Sequence, residues 1–278
     1  MAAARRDTRG IVDAAGLLSH VDFRRLLPTP ALRPHVEHYW LIDWDLPEPY
    51  VSHVVPHPAV NIVFQRFEGQ EPFVEIAGVQ HGLFSQKLEG RGRVCGIKFR
   101  PGGFRPFAPH VPVTHWTGRR VRHPEQPAVL PPTDPATILT PDDEDARTAA
   151  LDAFLLGPGR EAPRPDPQAD LAMALVDRVR TDRTIRRVTD FARAEGLSVR
   201  LLQRLFAGYV GVGPKWVILR YRIHEALERA ETERAVDWAR LAADLGYADQ
   251  AHLVRDFTAT VGVPPTAYAE AAVPTSRA

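Results

Sequence analysis

Residues 241–268 read LAADLGYADQAHLVRDFTATVGVPPTAY, and residues 198–214 read SVRLLQRLFAGYVGVGP. With Ser198 placed over Asp249 the two stretches align at an offset of 51. Seven positions are then identical: Leu202/Leu253, Arg204/Arg255, Phe206/Phe257, Val210/Val261, Gly211/Gly262, Val212/Val263 and Pro214/Pro265. Just upstream the register slips by one, so Ala192-x3-Gly196 matches Ala242-x3-Gly246 at an offset of 50. The C-terminal third therefore contains one unit twice.

Each copy reads as helix, tight turn, helix. In the first, Ile185, Val188 and Ala192 are expected along one helix face. Gly196 ends that helix, because glycine takes the left-handed backbone without a Cβ clash, and Ser198 caps the next by accepting an orphan N–H. Leu201, Leu202, Leu205 and Phe206 then face inward, leaving Arg200, Gln203 and Arg204 outward. In the second, Trp238, Leu241, Ala242 and Leu245 form the first face, Gly246 ends it and Asp249 caps. Leu253 and Phe257 point inward; Gln250, His252 and Arg255 stay outward.

A small residue, a glycine four positions on and a capped helix with polar outward residues is the pattern of a helix-turn-helix, whose second helix enters a DNA major groove. There Arg pairs with guanine and Gln with adenine. An ordinary helical hairpin gives the same local pattern. Two copies at a fixed offset, with Arg at the same outward position, favour DNA. Pro214 opens a joining helix from Lys215 to about Ala230, of roughly 24 Å. That length suits recognition helices one DNA turn apart, ~34 Å.

Working outward, the formal net charge is only +1, but its distribution is uneven. Arg178 to Arg222 holds 11 Lys+Arg against 3 Asp+Glu, whereas Ile223 to Ala278 holds 5 against 9. Residues 157–168, GPGREAPRPDPQ, read as a Pro/Gly linker. Before it, acidic residues 142–145 followed by Leu151, Phe154 and Leu155 predict a helix over 142–156. Residues 1–135 are rich in Pro, His, Val and Phe, and Val60–Phe64, Phe73–Ala77 and Val94–Phe99 read as strands. Gly90-Arg91-Gly92 and Pro101-Gly102-Gly103 read as turns. The expected fold class is α+β with two domains. Residues 1–156 make a mostly β barrel or sandwich, 157–168 a linker, and 169–273 an all-α domain with recognition helices at about 198–209 and 249–260.

LQRLFAGYVGVGPKW and LAADLGYADQAHLVRDFTATVGVPPTAY resemble the AraC/XylS family of transcription regulators, over roughly residues 170–270. The second-unit pattern, Gly-aromatic-x-Asp-x-x-x-Leu-x-Arg-x-Phe and then Gly-x-x-Pro, is specific. The resemblance implies seven helices, one recognition helix per unit and a long helix between them. Carried over by position, it implies base reading by Arg200, Gln203 and Arg204 in the first unit, and by Gln250, Ala251, His252 and Arg255 in the second. Ala251 departs from the polar residue common there and offers only an apolar contact, such as to a thymine methyl. Ser198 and Asp249 cap these helices near the phosphates; Asp249 and Asp256 would repel them. The charge asymmetry adds the expectation that the first unit supplies most of the affinity.

HVEHYWLIDWDLP, VVPHPAVNIVF and CGIKFRPGGFRPF resemble, more weakly, the β-rich sensor half of such regulators. This implies a small-molecule effector, a homodimer and, for an activator, RNA polymerase as a partner. The function expected is that of a sequence-specific regulator binding double-stranded DNA. The alternatives are an enzyme, such as a repair protein, fused to a DNA-binding module, or a ligand-free protein whose N-terminal half only dimerises.

The single cysteine, Cys95, excludes an internal disulfide, and its strand-like surroundings suit a core thiol better than a nucleophile or redox sensor. With no membrane-length apolar run and no secretory h-region at the N-terminus, a cytoplasmic location is expected. His53-x3-His57 has a metal-ligand spacing, but Pro56 and Pro58 forbid a helix there. No metal, cofactor or catalytic residue is expected. Lys98, Arg100 and Arg105 suit either an anion site or solvated edge-strand charges. Trp40 and Trp44 suit a ligand pocket or an aromatic core.

Overall fold

The computed structural model describes residues 8, 10–122, 131–157, 165–233 and 235–272. Most of the linker at 157–168, and residues 1–7 and 9 of the N-terminal stretch, lie outside the described residues.

After helix α1 (Ala14–His20), six antiparallel strands form one sheet: β1 (Asp22–Leu26), β2 (Val36–Val54), β3 (Asn61–Phe67), β4 (Phe73–Ala77), β5 (Phe84–Phe99) and β6 (Arg120–Arg122). Their order is β1-β2-β5-β3-β4-β6, so β1 and β6 are the edges and no second sheet packs on the first among the described residues. The mostly β domain expected from sequence is this six-stranded antiparallel sheet. Its two long strands, β2 and β5, pair along nearly their whole length. The pairing shifts between Leu46 and Tyr50, where Pro47 and Pro49 interrupt the ladder. Gly90 and Gly92, read as a turn, lie inside β5 opposite Leu46 and Trp44. A Cβ on Gly92 would stand 2.0 Å from the Trp44 ring, so this glycine makes room for an indole. Pro101-Gly102-Gly103 is a turn, with Gly102 at φ +93.

Both faces of the sheet are buried. Tyr39, Leu41, Phe64, Cys95 and Ile97 face one core, which α2 (Ala136–Leu139) and α3 (Glu144–Leu156) cover through Ile138, Leu151 and Phe154. Asp143 caps α3 by accepting from the Ala146 N–H. An ion cluster pins this layer: Asp43 of β2 accepts from Arg147 of α3 at 2.9 Å and also from Arg24 and Arg93. Cys95 is fully buried, and burial pushes its thiol up to about 11, which suits a core residue. The opposite face carries Phe23, Trp40, Ile42, Trp44, Val63 and Val94.

The C-terminal domain has seven helices among the described residues: α4 (Pro167–Thr181), α5 (Val188–Ala194), α6 (Val199–Tyr209), α7 (Pro214–Thr232), α8 (Trp238–Asp244), α9 (Gln250–Val261) and α10 (Pro265–Ala272). Asp166 caps α4, which starts two residues before the boundary at 169 read from sequence. At 19 residues α7 spans about 28 Å. Its first half closes the first unit's core with Val217 and Ile218. Its second half closes the second unit's core with Ile223, Ala226 and Leu227. No helix among the described residues is long and apolar enough to cross a membrane.

Candidate nucleic-acid interface

In the first unit Phe191 and Ala192 of α5 pack on Leu202, Leu205 and Phe206 of α6. Ile185, expected on the α5 face, lies in the turn before that helix, and Phe191 holds the central place. The Ser198 hydroxyl accepts from the Leu201 N–H at 3.1 Å, as a cap should. In the second unit Trp238 stacks edge-on against Phe257, centroids 6.2 Å apart, and Asp249 accepts from the His252 N–H at 2.7 Å.

The two turn glycines adopt the left-handed backbone, Gly196 at φ +67 and Gly246 at φ +74. Space around Gly196 is open, whereas a Cβ on Gly246 would come within 2.7 Å of Arg186. Both alanine substitutions should cost about 1–2 kcal/mol for the backbone alone. Thermal unfolding should show Gly246→Ala to be the more destabilising, because Arg186 must also move. Equal costs would mean that the Arg186 contact is slack.

Most of the outward residues fall where the sequence put them. Arg200, Gln203 and Arg204 are exposed on α6, and Gln250, Ala251 and Arg255 on α9. Among the described residues Arg200, Arg204 and Arg255 have no carboxylate within 4.0 Å, whereas the nearby Arg178, Arg180, Arg183 and Arg193 are all paired. An exposed cation without a partner on a helix face keeps its charge and donors for an anion or a base edge. His252 differs: it is half-buried, edge-on to Tyr247 at 5.1 Å and 3.8 Å from Asp256. Leu201, expected in the core, is 37% exposed and lies between Arg200 and Gln203. The apolar arc of α6 is filled by Leu202, Leu205 and Phe206, and a fourth large residue one position off that arc has nowhere inside to go.

A seam between the units was not visible in the repeat. Arg186 donates to the carbonyls of Ala243 and Asp244 at 3.4 and 3.2 Å, closing the C-terminal end of α8. Arg222 donates to the Arg186 carbonyl at 3.2 Å and lies over the Tyr247 ring. The seam binds an inter-helix turn to the next unit, so helical periodicity carried no signal for it.

The N-terminal domain docks on the far end of α6 and on α7. Thr117 donates its hydroxyl to the Gly211 carbonyl at 2.7 Å, and Arg220 donates to the His81 carbonyl at 2.7 Å. His57 stacks on His224, centroids 3.8 Å apart. Burial lowers Arg220 to about 10. Of the two histidines with metal-like spacing, His53 meets Ser85 and His57 meets His224, so they serve different contacts. Lys98 is 9% exposed on β5, between β2 and β3 at the middle of the sheet, so it is not an edge-strand charge.

Residues 191–271 match the model of a helix-turn-helix domain family. Residues 24–122 match that of a domain family of unknown function. No curated protein matches the chain significantly. Among solved structures, a transcriptional regulator from Chromobacterium violaceum, described as containing an AraC-type DNA-binding domain, aligns at 18% identity over 37% of this chain and 91% of its own, with a TM-score of 0.34. ToxT from Vibrio cholerae aligns at 12% identity over 85% of this chain and 98% of its own, with a TM-score of 0.42. A form of ToxT bound to an unsaturated fatty acid aligns at 13% identity over 86% and 97%, also at 0.42.

Proposed function

We propose, on the premise that the C-terminal domain is an AraC-type helix-turn-helix domain, that the chain is a transcription regulator that binds double-stranded DNA in sequence-specific fashion. The carrying observation is the exposed, unpaired set Arg200, Gln203 and Arg204 on a capped helix of one unit, with Arg255 at the equivalent position of the other. In this reading α6 and α9 enter successive major grooves. Arg200, Gln203 and Arg204 read bases in the first; Gln250 and Arg255 read them in the second. Ala251 offers a methyl-sized apolar contact, and His252, turned toward Tyr247 and Asp256, contributes least. A signal bound by the N-terminal domain would reach both units through its contacts with Gly211 and α7.

Arg204→Ala should weaken specific binding by about 1–3 kcal/mol and relax specificity at its base. Arg255→Ala should cost less, because Asp249 and Asp256 flank α9 with negative charge while α6 has no acidic residue. Fluorescence anisotropy of the full chain on DNA from upstream of its own gene, over a salt series with scrambled DNA alongside, measures both. Specific binding whose log K falls linearly with log salt supports the reading, with a slope of about 0.9 per neutralised phosphate. Absence of binding at low salt would overturn it, and a larger loss for Arg255→Ala than for Arg204→Ala would overturn the ranking of the units.

A further inference from the structure

Two glycines close the recognition helices at equivalent places in the repeat, Gly211 after α6 and Gly262 after α9. Both take the left-handed backbone, at φ +92 and φ +87. The N-terminal domain abuts both of them. The Thr117 hydroxyl donates to the Gly211 carbonyl at 2.7 Å, and a Cβ on Gly211 would stand 2.9 Å from Thr117 and from Val113. A Cβ on Gly262 would stand 3.2 Å from Leu83. The loop between β4 and β5, residues 78–83, also reaches the cores of both units. Val79 is buried in the core of the first, and Leu83 packs against that of the second.

Between Val79 and Leu83 the loop meets the middle of α7. Arg220 donates to the His81 carbonyl at 2.7 Å and lies over the Trp216 ring, to which the His81 ring stands edge-on. Arg220 is 5% exposed and, among the described residues, has no carboxylate within 4.0 Å. A guanidinium buried without a counter-charge is costly, so the carbonyl and the ring that receive it must be held in place. The loop is held. The Gly118 N–H donates to the Val79 carbonyl at 2.8 Å and the Gly78 N–H to the Arg119 carbonyl at 3.0 Å. The Gln80 amide donates to the carbonyls of Gly78 and Arg119. A Cβ on Gly78 would stand 1.8 Å from the Trp116 carbonyl oxygen, so the loop and the 3₁₀ turn Val113–Trp116 lie flush and form one piece.

We propose that this brace positions the two recognition helices: by holding the ends of α6 and α9 at Gly211 and Gly262, it fixes the half-site spacing on DNA that the chain accepts. Val79, His81, Leu83 and Thr117 are then positioning residues, which act through the helices and contact no base. Without the brace the units are joined by α7 and by the seam at Arg186 and Arg222. A single long helix bends, and one base pair is a step of only ~3.4 Å, so play of that size between the units would blur the spacing. The inference rests on the regulator reading.

Selection from random-sequence DNA by the full chain, then anisotropy on the selected site, tests it. The parent should enrich two short boxes at one spacing, one relaxed by Arg204→Ala and the other by Arg255→Ala. Inserting one base pair between them, a shift of ~3.4 Å and a turn of ~35°, should weaken the parent about tenfold. With Leu83→Ala and Thr117→Val combined, which removes the contact at Gly262 and the hydrogen bond to Gly211, the same insertion should cost less than about threefold. A merely structural loss would lower both affinities alike and leave their ratio unchanged. Thr117→Val alone, close to isosteric, should move the ratio the same way and decides the matter if the double variant does not fold. A parent indifferent to the insertion, a folded variant with the parent's ratio, or a selected site with one box would each overturn the positioning role while leaving the regulator reading standing. Selection that enriches no sequence would overturn both.

Discussion

Phe257→Ala should destabilise the second helix-turn-helix unit by about 3–5 kcal/mol, the usual cost of emptying a phenylalanine site in a packed core. Phe257 is fully buried, between Trp238 of α8 at 6.2 Å and Tyr268 of α10 at 5.8 Å. Both rings would face a void, and the loss exceeds what a unit of three short helices can absorb by shifting. Phe206, at the equivalent position of the first unit, is equally buried and should cost the same. The two substitutions should nevertheless differ in function. If the first unit supplies most of the affinity, a folded remnant with unit two loosened keeps much of its DNA binding, whereas Phe206→Ala removes it. Denaturant unfolding gives the stabilities and anisotropy the affinities. Retained binding with Phe206→Ala and lost binding with Phe257→Ala would reverse the assignment of the units.

Asp43→Asn should cost about 3–5 kcal/mol, because it leaves a buried guanidinium without its carboxylate. Arg147 is 1% exposed in its side chain, and Asp43 faces it together with Arg24 and Arg93. Burial alone would raise the Asp43 carboxyl. Hydrogen bonds and charge from Arg147 and Arg93 outweigh it and hold the group below its ordinary range. The native state thus binds the proton more weakly than the unfolded chain, whose aspartate titrates near ~3.9. This stabilisation is present above that value and is lost as pH falls through the lowered native value. Unfolding measured from pH 7 down to the acid limit should therefore show a parent chain that weakens steeply below about pH 4 and an Asp43→Asn chain that is weaker at pH 7 and flatter in acid. Unchanged stability at pH 7 would mean that α3 is held by Leu151 and Phe154 alone.

Much of the C-terminal domain was legible in sequence because its information is local. A helix declares itself through the 3.6-residue spacing of Leu202, Leu205 and Phe206. Its start is marked by Ser198 or Asp249, and its turn by a glycine that must be left-handed, and each signal appears twice. Where periodicity was pressed one position too far, at Leu201, the neighbours had already filled the core arc. The N-terminal domain was less legible because its order is non-local. β2 carries apolar residues toward both faces, so the alternation that marks a half-buried strand is absent, and its prolines look like breaks until the pairing with β5 shows them to be a bulge in β2.

By itself the sequence determined a repeated helix-turn-helix, most of the outward residues of its second helices, and a β-rich half before it. Those conclusions need only bond geometry, capping and the spacing of apolar side chains along one segment. Only the tertiary structure decided the strand order of the β half, that Arg186 and Arg222 join the two units, that the first domain rests on α7, and that Lys98 and two tryptophans share a cavity. Each of these sets side by side residues tens of positions apart in the chain, and strand register and domain packing, not local propensity, bring them together.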